Sequence, residues 1–456
     1  MVLHSHLKIL GIFILSIIFI AMWMVACQPV PASEIPQPEK VQIGSLRLVT
    51  QVPFVFEPHI AVDPTDPEHL AAIVISVSAF EYTAADTSKL VLYTSRDGGI
   101  SWREQVPFER AFFSGDGVVG FGPDGTLFAV GLTDNGSIMS VRTNAEDTMT
   151  LSNTSAVTSL QGNDKPWLTV DLATGTLFVS YTGPTSYQYT EDAILLAKST
   201  DGGQNWTKPV IVSQTIPMSD ISAGQVVPPF GAQVMPGEET SLAVAWIWSP
   251  IPDESPTGLW VSTSQDSGQT FSAPNQIAKA WNIISTTFHE GDYYIFYKEG
   301  TEQQQKLMLA VSRDGGVTWS TSTVSGDIPL YFDLDKAPGV DVAPDGTIDV
   351  MFYAPGEEAP QCIDINAYRK RREQVWIDQC TYNIYYTFSR DDGHTFYEPI
   401  KLNTHPIIGA RFVRTLGSSR PGEYMGMAST NEYAYPIWID TQGEEGTQAY
   451  TVQIKR

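Results

Sequence analysis

The sequence contains few of the residues that zinc sites and nucleic-acid surfaces require. Seven histidines and three cysteines are spread over 456 residues, without an H-E-x-x-H pattern or a cysteine pair at zinc spacing. A zinc site is therefore not expected. Basic residues number 27 against 51 acidic ones, which gives a formal net charge of −24. This deficit argues against nucleic acid or an anionic membrane surface as a partner.

Other sequence signals are missing as well. No phosphate-cradling P-loop and no G-x-S-x-G nucleophile elbow occur in the sequence. After residue 40, no apolar periodicity predicts an amphipathic helix of three or more turns. Short runs of alternating β-branched and aromatic residues recur instead, and these are typical of strands. The chain is therefore predicted to be all-β.

The N-terminus differs in composition from the rest of the chain. An apolar run of eighteen residues at 9–26 is followed by Cys27 and a proline-rich stretch, which is typical of an export signal. Residues 24–27 resemble a bacterial lipobox, and this resemblance implies lipidation of Cys27. The alternative is an uncleaved anchor, because eighteen apolar residues are just long enough to span a bilayer.

These features predict the organisation of the chain. We expect a lipoprotein-type signal peptide at 1–26, a tether at 27–44 and a single folded domain at 45–456. The protein would be exported and held at the bacterial cell surface, with its lipid anchor as the membrane contact. Cys362 and Cys380 flank one insertion, and in an exported protein such a pair predicts a disulfide.

A turn phrase with the pattern S-x-D-x-G-x-[S/T/N]-[W/F] occurs five times. Its copies are Ser95 to Trp102, Ser199 to Trp206, Ser264 to Phe271, Ser312 to Trp319 and Ser389 to Phe396. In such a turn the Ser and Asp side chains can bond backbone amides, Gly supplies a positive φ, and the final aromatic ring packs under the hairpin. Repetition at this spacing is typical of a propeller or a solenoid.

The phrase resembles the Asp box of the sialidase (neuraminidase, BNR-repeat) superfamily, over almost the whole chain after the leader. The resemblance implies a β-propeller whose boxes are structural and lie away from the active centre. Strands can be placed as seven blades of four, although sialidases have six, and one irregular blade split in two would give six here. Leu46 to Gln51 has no blade of its own, so we expect it to pair with the C-terminal strands and close the ring of a monomer.

In a propeller, the loops that lead into the innermost strands gather at one mouth of the central channel. Five of these loops carry an acid at nearly the same register, namely Glu57, Asp116, Asp164, Asp335 and Glu423. Carboxylates so close raise one another's pKa and favour a shared proton or a bound cation. Ca²⁺ is one candidate, because it takes six or more oxygen ligands. The alternative is that the acids cap turns and pair with Lys165 and Lys336.

The resemblance to sialidases implies glycan chemistry at this mouth. In that family three arginines clamp the sialate carboxylate, an Asp is the acid/base, and a Glu activates a Tyr nucleophile. Glu423 beside Tyr424 is similar to the nucleophile pair, and Asp116 or Asp164 to the acid/base. The family's Phe-Arg-Ile-Pro signature is absent, and an acid, Glu57, stands where its arginine is needed.

Two hypotheses about function follow. The first is a cell-surface glycoside hydrolase of the exo-α-sialidase type, and the second is a non-catalytic propeller that binds a glycan or another surface ligand. Besides the catalytic candidates, the residues expected to contact the ligand are Glu57, Asp335, Lys165, Lys336 and Trp167. Four tryptophans could offer faces for sugar stacking or fill space between blades; they are Trp246, Trp248, Trp260 and Trp281.

Overall fold

The computed structural model describes residues 41–456 apart from ten internal stretches. These are 53, 78–87, 106–113, 144–148, 251–256, 302–303, 331–336, 357–380, 409–421 and 443–445. The predicted export signal with Cys27, the cysteines Cys362 and Cys380, and the site candidates Asp335 and Lys336 lie outside the described residues. In the described part, no helix is both long and apolar enough to cross a membrane.

Antiparallel strands in six hydrogen-bonded sheets make up the described fold. Two short strands come first, β1 (Gln42–Ile43) and β2 (Arg47–Leu48). The first sheet contains β3 (Val55–Asp63), β4 (Asp66–Val77), β5 (Ser88–Ser95) and β6 (Arg103–Glu104). The second contains β7 (Gly115–Phe121), β8 (Leu127–Leu132), β9 (Ile138–Thr143) and β10 (Met149–Thr158).

The third sheet precedes the one described helix. Its strands are β11 (Asp164–Asp171), β12 (Thr176–Pro184), β13 (Glu191–Ser199), β14 (Val210–Ile211) and β15 (Ile216–Pro217). The helix α1 (Met218–Ser222) follows directly. It has five residues, which agrees with the absence of any long helical pattern in the sequence.

The fourth sheet, the long sheet, has seven strands. They are β16 (Phe230–Pro236), β17 (Leu242–Trp248), β18 (Thr257–Ser264), β19 (Asn275–His289), β20 (Asp292–Gly300), β21 (Gln305–Ser312) and β22 (Ser320–Thr323). Strand β19 pairs with β18 through its first half and with β20 through its second half. One strand thus joins two four-stranded units.

The fifth and terminal sheets complete the fold. The fifth contains β23 (Gly339–Val342), β24 (Ile348–Pro355), β25 (Thr381–Ser389), β26 (Ile400–Lys401) and β27 (Ile407–Ile408). The terminal sheet contains β28 (Gly426–Ser429), β29 (Tyr433–Asp440), β30 (Gln448–Thr451) and β31 (Ile454–Lys455) together with β1 and β2. The predicted all-β fold is confirmed.

The two ends of the described chain meet in the terminal sheet. Strand β2 pairs with β30, where Arg47 lies opposite Thr451, and β1 pairs with β31. This is the pairing of N-terminal and C-terminal strands that the sequence predicted. Seven strands contact one another in succession, and the last of them also contacts the first: β3, β7, β11, β16, β19, β23 and β28. We call them the first strands. A cavity of about 910 Å³ lies among these strands.

The core is formed where neighbouring sheets face each other. Between the third sheet and the long sheet, for example, Phe178 and Ile194 pack with Val244 and the fully buried Trp246. The central strands are therefore buried on both faces and carry near-continuous apolar runs. Burial of large aromatic side chains of this kind contributes much of the stability of such a core.

The repeated turns are structural, as the resemblance implied. In the first one, Ser95 Oγ donates to Asp97 Oδ1 at 2.8 Å and accepts from the amide of Gly99 at 2.9 Å. The Trp102 indole donates to the Gly99 carbonyl at 3.1 Å. Gly99 has a φ of +81°, a conformation that glycine adopts without steric cost. The side chains therefore replace the backbone partners that the tight turn cannot supply.

Candidate functional site

A β-bulge occurs near the start of four of the first strands. The pairing register shifts between Phe56 and His59, Gly115 and Val118, Asp164 and Trp167, and Phe230 and Gln233. The sequence predicted that the acidic residues lie in loops before these strands. Glu57, Asp116 and Asp164 lie within their strands instead, because pairing begins before each bulge and resumes after it. Glu423 lies before β28, as predicted. A bulge redirects the side chain of its extra residue.

One residue of each bulge has a positive φ. The values are +51° for Glu57, +51° for Asp116, +47° for Lys165 and +66° for Gly231. A residue with a Cβ atom adopts this conformation at a cost of about 1–3 kcal/mol. Three charged residues occupy a position that glycine would fill more easily, so we infer that their side chains are required there.

The bulges also correct the predicted register. The sequence placed Asp164 at nearly the same register as Glu57 and Asp116. By backbone conformation, the residue of the third sheet that is equivalent to them is Lys165. Asp164 lies one residue earlier, and its Oδ1 accepts a hydrogen bond from the Lys165 amide at 2.9 Å. A sequence pattern cannot reveal which of two adjacent residues takes the bulge position.

Four charged side chains meet at this end of the sheets, which we call the mouth. Lys165 Nζ lies 2.7 Å from Asp116 Oδ1, 2.9 Å from Glu423 Oε2 and 3.4 Å from Glu57 Oε2. The contact with Glu423 is an ion pair without hydrogen-bond alignment. We refer to these four residues as the carboxylate–lysine cluster. The structure thus brings together three of the five predicted acids, paired with Lys165 as the alternative hypothesis stated.

Gly422 allows the segment before β28 to reach this cluster. Its φ is +99°, and a Cβ atom there would lie 2.4 Å from Glu57 Cγ. The close approach lets the Glu423 amide donate to Glu57 Oε1 at 3.0 Å. Backbone and side chain from opposite ends of the described chain are therefore joined at the mouth.

The cluster differs in its exposure to solvent from one residue to the next. The side chains of Glu57, Asp116 and Lys165 are 7%, 11% and 14% exposed, whereas that of Glu423 is 41% exposed. Asp164 is also exposed. A ligand at the mouth would therefore meet Asp164 and Glu423 first, while Glu57 and Asp116 hold the lysine from below.

Burial and charge shift the titration of these groups. Burial raises the pKa of Glu57 to about 7; Lys165 opposes this rise, and Asp116 and Glu423 add to it. Loss of hydration and the charge of Asp116 raise the pKa of Asp164 to about 6. Burial disfavours the ammonium of Lys165, yet the surrounding carboxylates outweigh it and hold its pKa well above its usual value. The mouth thus holds two carboxyl groups that exchange protons near neutral pH.

Three aromatic rings lie beneath the cluster and form what we call the aromatic floor: His59, Trp167 and Tyr424. The Trp167 ring contacts His59 and Tyr424 edge to face, at 5.3 Å and 5.6 Å between centroids. Lys165 Nζ lies 5.5 Å from the centre of the Tyr424 ring, within range of a cation–π interaction. His59 and Trp167 also line the central cavity. The floor therefore lies between the charged mouth and the cavity.

Tyr424 is a buried part of this floor. It is 3% exposed, and its hydroxyl donates weakly to the Gly117 carbonyl at 3.5 Å. Burial raises the pKa of Tyr424 well above its usual value, with the nearby carboxylates adding to the rise. Burial lowers the pKa of His59 to about 4. Both rings are thus neutral near pH 7, and neither was singled out by sequence as a floor residue.

The other predicted residues take different places. Trp246 and Trp281 are core residues, 0% and 4% exposed, whereas Trp248 and Trp260 are half-buried and pack edge to face at 5.6 Å. In the described part, no group of three or more His, Cys, Asp or Glu side chains could hold a metal ion. The cation that the cluster carboxylates surround is the Lys165 ammonium. The arginine-rich stretches at 369–372 and 411–420 lie outside the described residues.

Comparison with known proteins places this fold. Residues 140–447 match the model of the BNR repeat-like domain family, more than half of the chain. The chain belongs to this family. The membership in the sialidase-like superfamily that the turn phrases predicted is thereby confirmed. No curated protein matches the chain.

Two solved structures with TM-scores of at least 0.50 share this all-β architecture. A protein of unknown function from Dyadobacter fermentans is 12% identical with a TM-score of 0.50, covering 92% of this chain and 100% of its own. A PL25 ulvan lyase solved with -[GlcA(1-4)Rha3S]- is 9% identical with a TM-score of 0.51, covering 89% and 95%. A Hadza microbial sialidase is 14% identical with a TM-score of 0.45, covering 88% and 65%. At such identities the likeness shows the fold alone.

Proposed function

We propose that this member of the BNR repeat-like family is an exported glycoside hydrolase with its active site at the mouth. The carrying observation is the convergence of Glu57, Asp116 and Glu423 on Lys165, with Asp164 beside them. Most glycosidases use two carboxyl groups at one site, one as the acid and the other as the base or nucleophile. The glycan-acting enzymes among the similar structures support a glycan ligand.

We assign different roles to the two exposed acids. Asp164, whose pKa is about 6, donates its proton to the glycosidic oxygen as the C–O bond breaks. Glu423, which lies 2.9 Å from Lys165 Nζ and is 41% exposed, activates water or attacks the sugar carbon. Glu57 and Asp116 fix the position of the lysine. Tyr424, first considered as the nucleophile, supports the aromatic floor in this proposal because its hydroxyl is buried.

We also propose a substrate sugar that carries no carboxylate. A sialate carboxylate is best bound by several guanidinium groups, which pair with it in a bidentate way. In the described part of the mouth, the cation within ion-pair distance of the acids is Lys165, and three carboxylates already hold it. This arrangement favours a neutral sugar over an exo-α-sialidase substrate.

The proposal includes the finer architecture and the location. We propose seven blades, supported by the succession of seven first strands that contact one another and return to β3. The strand β19 then belongs to two adjacent blades. We also propose that the segment 1–26 directs export, that Cys27 is lipidated, and that Cys362 and Cys380 form a disulfide.

A non-catalytic glycan-binding propeller is the second candidate. It is supported by the same ion pairs, because a lysine that satisfies three carboxylates can be a structural element that shapes the mouth without chemistry. Buried charge networks are often retained for such positioning. The two candidates differ in whether Asp164 transfers a proton.

A set of fluorogenic glycosides tests both candidates. We expect wild type to hydrolyse at least one neutral glycoside and Asp164→Asn to lose about 100-fold or more in kcat. Activity should fall as the pH rises above about 6, because the acid must be protonated. Asp171→Asn is the matched control, since Asp171 ends the same strand and caps the turn at Ala173 with a 3.0 Å hydrogen bond.

The outcomes separate the hypotheses. Glycan binding without turnover of any glycoside would replace the hydrolase by the binding candidate. Turnover of a sialoside alone would show that the substrate assignment is wrong. Equal activity of wild type and Asp164→Asn would remove Asp164 from the reaction.

A further inference from the structure

Two exposed tyrosines lie on the loop between β12 and β13. Tyr187 is 70% exposed and Tyr189 is 39% exposed. Thr182, near the end of β12, lies opposite Asp164 in the sheet. The loop therefore projects from the same end of the third sheet as the mouth, beside the proposed proton donor.

Both tyrosines are fixed through their hydroxyl groups. Tyr187 Oη lies 2.9 Å from Ser159 Oγ, and Tyr189 Oη accepts a hydrogen bond from the Gln161 amide at 3.2 Å. Tyr189 also has a φ of +53°, a strained conformation for a residue with a side chain. These contacts anchor the rings at one end and leave much of their surface open to solvent.

A buried carboxyl group lies where the tyrosine loop joins β13. Asp192, on β13, is 8% exposed, and its Oδ1 has no hydrogen-bond partner in the described part of the chain. Burial raises the pKa of Asp192 to about 6, and the charge of Asp164 contributes. A buried acceptor without a partner is costly. The site would gain from a donor supplied by a ligand or by a water that bridges to it.

Aromatic surface continues on the next sheet. Trp248, the last residue of β17, is half-buried, and its indole donates to the Val227 carbonyl at 3.0 Å. Ile247 lies opposite Phe230, at the bulged start of β16, so Trp248 also lies at the mouth end of the fold. The tyrosine loop and Trp248 thus extend the mouth outward across the third sheet and the long sheet.

We propose that Tyr187 and Tyr189 form a subsite for a sugar ring of a polysaccharide whose chain continues from the mouth. The inference rests on the proposed glycan-directed function and adds that the substrate is a polymer. Sugar rings present apolar C–H faces that pack on aromatic rings, while their hydroxyls bond to flanking acids. Rigid tyrosines provide such contact area at a low cost in conformational entropy.

Binding of saccharides of different length tests the subsite. The full-length chain is titrated by calorimetry with a disaccharide and a hexasaccharide each of arabinan, xylan and laminarin. We expect Tyr187→Ala to weaken binding of the preferred hexasaccharide about tenfold and to leave the disaccharide unaffected. Tyr187→Phe, which keeps the ring, should stay within about twofold of wild type. Val317→Ala is the control, because Val317 is 73% exposed and belongs to a repeated turn.

Each outcome has a definite meaning. If wild type binds the hexasaccharide more tightly than the disaccharide and Tyr187→Ala removes that difference, the subsite is supported. If Tyr187→Ala binds the hexasaccharide as wild type does, the subsite is refuted while the function at the mouth stands. If wild type binds none of these saccharides but hydrolyses monosaccharide glycosides, the proposal of a polymeric substrate is refuted and the proposed hydrolase function stands. If it neither binds nor hydrolyses any glycan, both proposals fail.

Discussion

Replacing Lys165 by methionine should destabilise the protein in a strongly pH-dependent way. The substitution keeps most of the side-chain volume and removes the ammonium that three carboxylates share. Removing one partner of a buried ion pair typically costs about 3–5 kcal/mol, because the remaining charges stay buried and unpaired. We expect about 3 kcal/mol at pH 8, near the low end, because water still reaches the 41% exposed Glu423.

The cost should diminish at lower pH. The pKa of Glu57 is already raised from 4.5 to about 7 in the folded protein, so the folded state binds more protons than the unfolded state between these values. Stability therefore falls as the pH rises through this window. Lys165 lowers the pKa of Glu57 and of Asp164, so without it both pKa values rise further, which deepens the loss at pH 8. At pH 5 the Glu57 carboxyl, whose pKa is raised to about 7, is protonated and needs no cation, so the destabilisation should be roughly half as large.

Urea denaturation of the full-length chain at pH 5 and pH 8 measures this difference. The midpoint and slope give the free energy of unfolding at each pH. Lys208→Met is the control, because Lys208 is exposed and its replacement should shift stability by less than about 0.5 kcal/mol. A Lys165→Met variant as stable as wild type at pH 8, or destabilised equally at both pH values, would refute the view that Lys165 neutralises buried acids.

Two further substitutions test the packing around the site. In thermal melts, Gly422→Ala should destabilise the protein by about 2 kcal/mol or more, because a Cβ there would lie 2.4 Å from Glu57 Cγ and φ is +99°. Gly115→Ala is the control, because a Cβ there meets nothing within 4 Å, and it should destabilise the protein far less. Tyr353→Phe should cost about 1–3 kcal/mol in urea denaturation, because its hydroxyl donates to the Ile439 carbonyl at 2.8 Å and accepts from the amide at 3.1 Å. A loss below 0.5 kcal/mol would show that this link between the fifth and terminal sheets is not needed.

The turns and strands could be predicted from sequence because their signals are local. In each repeated turn, the hydrogen bonds of the Ser and Asp side chains are made within eight consecutive residues, where the Ser, the Asp, a Gly and an aromatic residue stand at fixed spacing. The pairing of the chain ends also followed from sequence, since a strand without neighbours, Leu46 to Gln51, had to find partners somewhere. Both predictions needed only the covalent order of the residues and the demand that backbone groups be paired.

The interior of the mouth could be predicted only in part. Glu57, Asp116 and Glu423 were identified by their place before apolar runs, but the central role of Lys165 depends on a bulge that shifts the third sheet by one residue. The burial of Tyr424 could not be predicted either, because it depends on contacts with the Gly117 carbonyl and the ring of Trp167. Such effects arise from strands that are far apart in sequence, and no local pattern records them.

The aromatic floor has a consequence for how any ligand would approach. His59 and Trp167 line the central cavity, and Trp167 packs edge to face on Tyr424, whose ring lies under Lys165. The floor therefore separates the cavity from the mouth. A ligand that enters from the mouth would meet this floor before it reached the cavity. Threading a chain through the centre of the molecule would first require Trp167 to swing aside, and its two edge-to-face neighbours oppose that motion.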